Sequence, residues 1–257
     1  MTYKIFKPNK YFHWMLLGIL LGFVAPLQAQ NATEIVRKSN DQIQGNTSQG
    51  VMTMTIIRPK WQRTVEMKSW SKGSQFSLIL IKKPARDKGS GYLKRTREMW
   101  NWLPKVGRVV KMPPSMMNQS WMGSDFTNDD LVRQSSIVND YTHQIKGSET
   151  IEGRSCYKIL LTPKPNAPVV WGKVEMWISK QGFLQLQSKM YDEDGYLVNT
   201  MRGSKIRNLG GRTIPSRLEM IPADTPNQKT VLEYKSMVFN KPISNGFFSV
   251  QNLKRVR

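Results

Sequence analysis

The chain has 257 residues, 39 of them Lys or Arg against 18 Asp or Glu, giving a formal charge of +21. One cysteine and two histidines exclude an internal disulfide framework and fall short of a zinc site. So basic a chain favours anionic surfaces, yet its basic residues are spread along the whole length. No RNP, helix-turn-helix or zinc-finger pattern accompanies them, so nucleic acid is not the expected partner.

Lys4, Lys7 and Lys10 precede an apolar run from Trp14 to Val24, and Pro26-Leu27-Gln28-Ala29 ends in a small residue suited to cleavage before Gln30. This pattern predicts a signal peptide over residues 1–29 and an exported domain over 30–257. A spanning anchor is the competing reading, but the run is short of the roughly 20 apolar residues a bilayer crossing needs. No cysteine stands at the cleavage position, so the chain is not itself a lipoprotein. Loss of the leader leaves 36 basic against 18 acidic residues, a surplus that serves either as a solvating surface or as adhesion to membranes.

Next, Asn31 can cap a helix in which Glu34 sits three residues on and Ile35, Val36 and Ile43 form an apolar stripe until Gly45 stops it. Alternation with period two then takes over. Met52, Met54 and Ile56 share a strand face; so do Trp61, Val65 and Met67, then Phe76, Leu78 and Leu80, then Trp100 and Trp102. A turn at Pro104 to Gly107 leads to Val109 and Val110. In the second half Tyr157, Ile159 and Leu161, then Val174, Met176 and Ile178, then Leu184, Leu186 and Met190 repeat the pattern. Asp192-Glu193-Asp194-Gly195 turns into a strand around Tyr196 to Ile206, and further strands fit Arg212 to Ile221 and Lys229 to Phe239. The expected fold is mainly β, an antiparallel meander of about 10–11 strands.

A sheet that wide accumulates twist and closes or curls into a half-barrel with a hollow side. The opening helix can cover part of the hollow, and the segment 113–134 more of it. There Ser124 to Asn128 offers caps, and Asp129 and Asp130 suit the first turn of a helix running to about Gln134. Met112, Met116, Met117, Trp121, Met122 and Phe126 cluster in the same stretch. Flexible thioethers beside broad indoles suit an adaptable apolar surface, although a helical turn packed statically on the sheet would use the same residues.

Nothing in the chain favours an enzyme. His143, in a polar strand beside Tyr141, would have to serve any serine or cysteine triad, and no nucleophile elbow is present. Cys156 reads as a buried, inert thiol. Asp192-Glu193-Asp194-Gly195 has the look of a calcium loop, but its twelfth position is Gly203 where a bidentate glutamate is needed, so a hairpin turn is expected. No cofactor and no metal are expected.

The stretches Glu98-Met-Trp-Asn-Trp-Leu-Pro and Met112-Pro-Pro-Ser-Met-Met-Asn-Gln-Ser-Trp-Met-Gly-Ser-Asp-Phe-Thr-Asn-Asp-Asp-Leu131 resemble the bacterial outer-membrane lipoprotein-sorting (LolA-like) family. Val170-Trp-Gly-Lys-Val-Glu-Met-Trp-Ile-Ser179, Tyr191-Asp-Glu-Asp-Gly195, Gly210-Gly-Arg-Thr-Ile-Pro215 and Leu253-Lys-Arg-Val-Arg257 carry the likeness through the mature chain. The resemblance implies an unclosed antiparallel β-barrel, LolA/LolB-like, with helices plugging its mouth and acyl chains in its cavity. It implies a periplasmic location, lipoprotein or lipid cargo, an inner-membrane transporter as donor, an outer-membrane acceptor, and no chemical reaction. Carriers of this kind latch their lid through an arginine on an early strand; by parity with Trp61 and Val65, Arg63 is the physical candidate, an edge arginine snorkelling to water being the other reading. On these grounds Met54, Ile56, Leu78, Leu80, Trp100 and Trp102 are expected to line the hollow, with Met112, Met116, Met117, Trp121, Met122 and Phe126 as its gate. A sensor or adaptor that uses the same half-barrel to bind a protein partner is the alternative.

Overall fold

In the computed structural model, Asn31 turns the chain into helix α1 (Ala32–Gln44) by accepting from the Thr33 amide through its side chain at 2.9 Å. Gly45, at φ 59°, ends the helix and returns its N–H to the Asp41 carbonyl. Glu34 bonds forward to Arg37. The structure describes residues 1–3, 31–132 and 137–256, without the side chain of Val132. The expected leader, from residue 4 onward, and the expected helix end at Gln134 lie outside the described residues.

Six strands follow α1: β1 (Thr47–Arg58), β2 (Trp61–Lys72), β3 (Phe76–Lys83), β4 (Gly91–Arg95), β5 (Glu98–Leu103) and β6 (Arg108–Met112). A long connection carrying the short helix α2 (Asn128–Val132) leads to β7 (Tyr141–Ile151), β8 (Arg154–Pro163), β9 (Lys173–Ser179), β10 (Gln185–Tyr191), β11 (Leu197–Leu209), β12 (Arg212–Pro222) and β13 (Lys229–Phe239). A terminal helix, α3 (Val250–Arg255), closes the chain. All strands join one sheet in the order β6-β5-β4-β3-β2-β1-β13-β12-β11-β10-β9-β8-β7, every neighbouring pair antiparallel.

The sheet is thus two meanders stitched together by β1 against β13. Its edges are β6 and β7, consecutive in sequence yet at opposite ends of the order, so this is an unclosed antiparallel barrel and the segment between them spans the gap. The sheet has 13 strands, beyond the number that alternation suggests. β4 is buried on both faces and β7 is largely exposed on both, so neither alternates.

Met52, Met54, Ile56, Val65, Met67, Ile79, Ile81 and Tyr92 face inward and belong to the main core. The outer face of β2–β5 is buried too, by the C-terminal segment: Trp70, Leu78, Leu80 and Leu93 pack with Phe248 and Leu253, and Trp100 and Trp102 lie against this second cluster. Leu78, Leu80, Trp100 and Trp102 therefore stand behind the hollow, not in it. Leu78-Ile79-Leu80-Ile81 is apolar without a break, so parity cannot say which pair faces in; the pairing of Met67 with Ile81 and of Trp70 with Leu78 decides it. A bulge between Gln185 and Gln187 likewise sends Leu186 outward to Cys156 and Trp177 while Met190 stays inside.

Candidate functional site

Under α1 the inner face encloses a cavity of about 200 Å³. Its floor is sulfur-rich in a regular way: Met52, Met176, Met190, Met201, Met220 and Met237 line it, one each from β1, β9, β10, β11, β12 and β13, which are consecutive in the sheet. Gly50 makes this possible locally, since a Cβ there would sit 2.4 Å from the Met237 sulfur. Val36, Asn40, Ile43 and Gln44 of α1 form the roof, and Phe126, Asp129, Asp130 and Leu131 close one side. Arg212 holds the roof by donating to two carbonyls at the end of α1, adding to the Gly45 bond on Asp41 and reaching the Gln42 carbonyl at 3.3 Å.

The gap-spanning segment is tied down at one point by a dense polar knot. Arg58, the last residue of β1, donates from both terminal nitrogens to the two Asp125 oxygens, at 2.9 and 3.0 Å, with both side chains mostly buried. That fork geometry is the strong form of an Arg–carboxylate pair. Thr230 of β13 adds a 2.7 Å hydroxyl bond to the same carboxylate and accepts the Asp125 amide, and Arg58 also reaches the Gly123 carbonyl. Arg63 of β2 donates to the Met122 carbonyl, in the turn where Met122 adopts φ 55°. Arg63, the physical candidate for a latch, thus touches this segment through one carbonyl, and Arg58 beside it makes a bidentate contact.

Beyond the knot, Thr127 and Asp130 cap α2 reciprocally: the Asp130 amide donates to the Thr127 hydroxyl at 3.1 Å and the Thr127 amide to the Asp130 carboxylate at 2.8 Å. Trp171 also donates to Asp130 at 2.9 Å, while burial pushes that carboxyl above its ordinary range. Trp121 is wholly buried with its ring 5.1 Å from that of Tyr92, whose hydroxyl burial holds up at about 12.

Of the residues expected at the gate, Phe126 reaches the cavity. Trp121 and Met122 belong to the main core beside it, and Met112, Met116 and Met117 gather with Met99 in a separate cluster at the β5–β6 edge. Of those expected in the hollow, Met54 and Ile56 lie on the inner face but outside the cavity lining, and the other four are on the outer face. The methionines of β9 to β13 were the informative residues. Their signal was a Met recurring at inward positions on strand after strand.

His143 is a fastener: its Nε2 bonds the Ile137 carbonyl at 3.0 Å and its Nδ1 the Thr33 hydroxyl at 3.1 Å, pinning the start of α1 to β7. Burial lowers its pKa. Cys156 is buried and burial raises its thiol. The Asp192 side chain accepts the Tyr196 amide at 2.8 Å, closing a turn, and no group of three or more metal-ligating side chains converges among the described residues.

A family model described as that of an uncharacterized protein matches residues 73–255. No curated protein matches the chain in sequence. Among solved structures, a DUF1329 family protein from Desulfovibrio piger superposes with TM-score 0.79 at 22% identity, covering 86% of this chain and 97% of that one. A LolA superfamily protein from Nitrosomonas europaea gives 0.76 at 23%, over 87% and 100%. An outer membrane lipoprotein-sorting protein domain from Vibrio parahaemolyticus gives 0.78 at 20%, over 87% and 98%. The fold is LolA-like.

Proposed function

The chain belongs to the uncharacterized-protein family whose model it matches, and on that premise we propose that it is a periplasmic carrier that binds acyl chains of lipids or lipoproteins and moves them towards the outer membrane. The observation that carries this reading is the cavity itself: a floor of one methionine per strand under a helical roof, with a side wall fastened by side chains. Methionine fills irregular space and re-forms around whatever occupies it. Burying a dozen methylenes yields on the order of 10 kcal/mol at about 0.8 each before ordering costs, which is ample for capture. Such a role is one of binding and needs no covalent step.

At about 200 Å³ the cavity lies below the roughly 300–1,000 Å³ of sites for drug-sized ligands, which suits one alkyl chain. Bulkier, multiply acylated cargo requires the segment around Asp125 to swing away, and the Arg58–Asp125 fork is what such a movement must break. The basic surplus favours approach to anionic membranes on either side of the periplasm. Protein purified without detergent should carry lipid in native mass spectrometry, and the emptied protein should take up a fluorescent fatty-acyl probe. A bare mass together with no probe uptake sinks the proposal, and one stoichiometric protein partner in place of lipid turns it into an adaptor.

A further inference from the structure

The inner face is not apolar from end to end. Lys94 of β4, Ser77 of β3, Ser71 of β2 and Ser48 of β1 stand directly opposite one another in register, forming a polar row across four adjacent strands. The Ser48 and Ser71 hydroxyls bond each other at 2.7 Å, and the Lys94 ammonium donates to the Ser74 carbonyl at 2.5 Å. Ser77 Oγ is shut off from solvent and has no hydrogen-bond partner among the described residues, an unsatisfied state that buried hydroxyls rarely keep. All four side chains line the cavity, two residues along β1 and β2 from Gly50 and Ser69 and then the apolar pair Met52 and Met67. The Arg58–Asp125 fork sits at the other end of β1.

The polar end adjoins a second hollow of about 600 Å³, which shares Asn40, Gln44, Gly73, Ser74 and Phe76 with the first. The cavity thus runs from a polar mouth, where Arg37, Asp41 and Lys72 stand among amides and hydroxyls, to a thioether-lined interior. Among the described residues the charged lining of the two hollows is Lys94, Arg37 and Lys72 against Asp129, Asp130 and Asp41. Both signs are present in equal number, so a head of either net charge would meet a like charge. We infer that the Ser48–Ser71–Ser77–Lys94 row seats the neutral, hydroxyl-bearing head of a single-chain amphiphile, of the monoacylglycerol kind, whose tail lies on the methionine floor. This rests on the acyl-carrier reading and specifies its ligand.

Displacement of the fluorescent fatty-acyl probe by 1-monolauroylglycerol, lauric acid and methyl laurate separates the two. The glyceride should displace it at about tenfold lower concentration than the ester, the effect of one or two neutral hydrogen bonds. Ser48→Ala with Ser71→Ala removes both partners of one bond at once and leaves no orphan; it should cut the preference for glyceride over ester to about twofold. Equal displacement by glyceride and ester, a preference for lauric acid, or a preference that survives the double substitution overturns the head-group seat. If none of the three displaces the probe and the probe itself does not bind, it is the carrier reading that fails.

Discussion

The two faces of the sheet are both buried where they matter, and they are built from different materials. Outside, Trp70 meets Phe247 at 5.4 Å, Phe76 meets Phe248 at 5.4 Å, and the two phenylalanines cross edge to face at 5.3 Å and 84°. Gly91 lets Leu253 of α3 press onto the strand, since a Cβ there would come within 2.7 Å of it. Inside, the cavity floor is thioether, and the Tyr92–Trp121 ring pair lies outside the cavity lining. Stiff aromatic packing specifies one partner, and here that partner is the chain's own C-terminus; methionine specifies none. The outer side of the sheet therefore has a fixed occupant, and the inner side keeps a cavity.

Breaking the outer side should cost most. Phe248, fully buried, is the centre of the C-terminal cluster, and Phe248→Ala should lower stability by about 3–5 kcal/mol in denaturant unfolding, leaving probe affinity per folded molecule unchanged. On the inner side the effect should fall on selectivity. Met201 and Met220 face each other across β11 and β12, and replacing both by Leu conserves volume, so stability should move by less than about 1.5 kcal/mol for each swap. Affinity across acyl chains of increasing length should nonetheless become more sharply peaked; an unchanged length profile would mean the sulfurs are packing and nothing more.

The smallest effect sharpens the contrast through pH. His143 is held neutral in the fold, its pKa below the ordinary 6.5, so the unfolded chain takes up the proton first as pH falls. The stability it lends is complete above 6.5 and is lost as pH drops from there towards the folded value. Amide exchange, corrected for its intrinsic rate, should show α1 loosening between pH 7 and 5 while the aromatic and aliphatic outer cluster holds. His143→Gln should flatten that response.

The sequence made α1, the hairpins and the start of α2 readable because each rests on local chemistry: a cap, an alternation, two acids at a helix start. What escaped was decided at long range. Arg58 and Asp125 are 67 positions apart, and no local pattern announces their fork. The sidedness of Leu78 and Leu80 depended on a tail, from Ile243 to Val256, that covers a face which alternation alone would leave wet. Leu186 broke parity at a bulge that a single chain of letters does not mark.

A barrel that closes on itself has a circumference set by its strand number and stagger. Here β6 and β7 never meet, so nothing in the ladder of backbone bonds fixes how tightly the wall curls. Girth becomes a property of the strap drawn across the opening. Loosening that strap would let the wall uncurl without the rupture of any pairing between the strands of the sheet, so bore width is free to change.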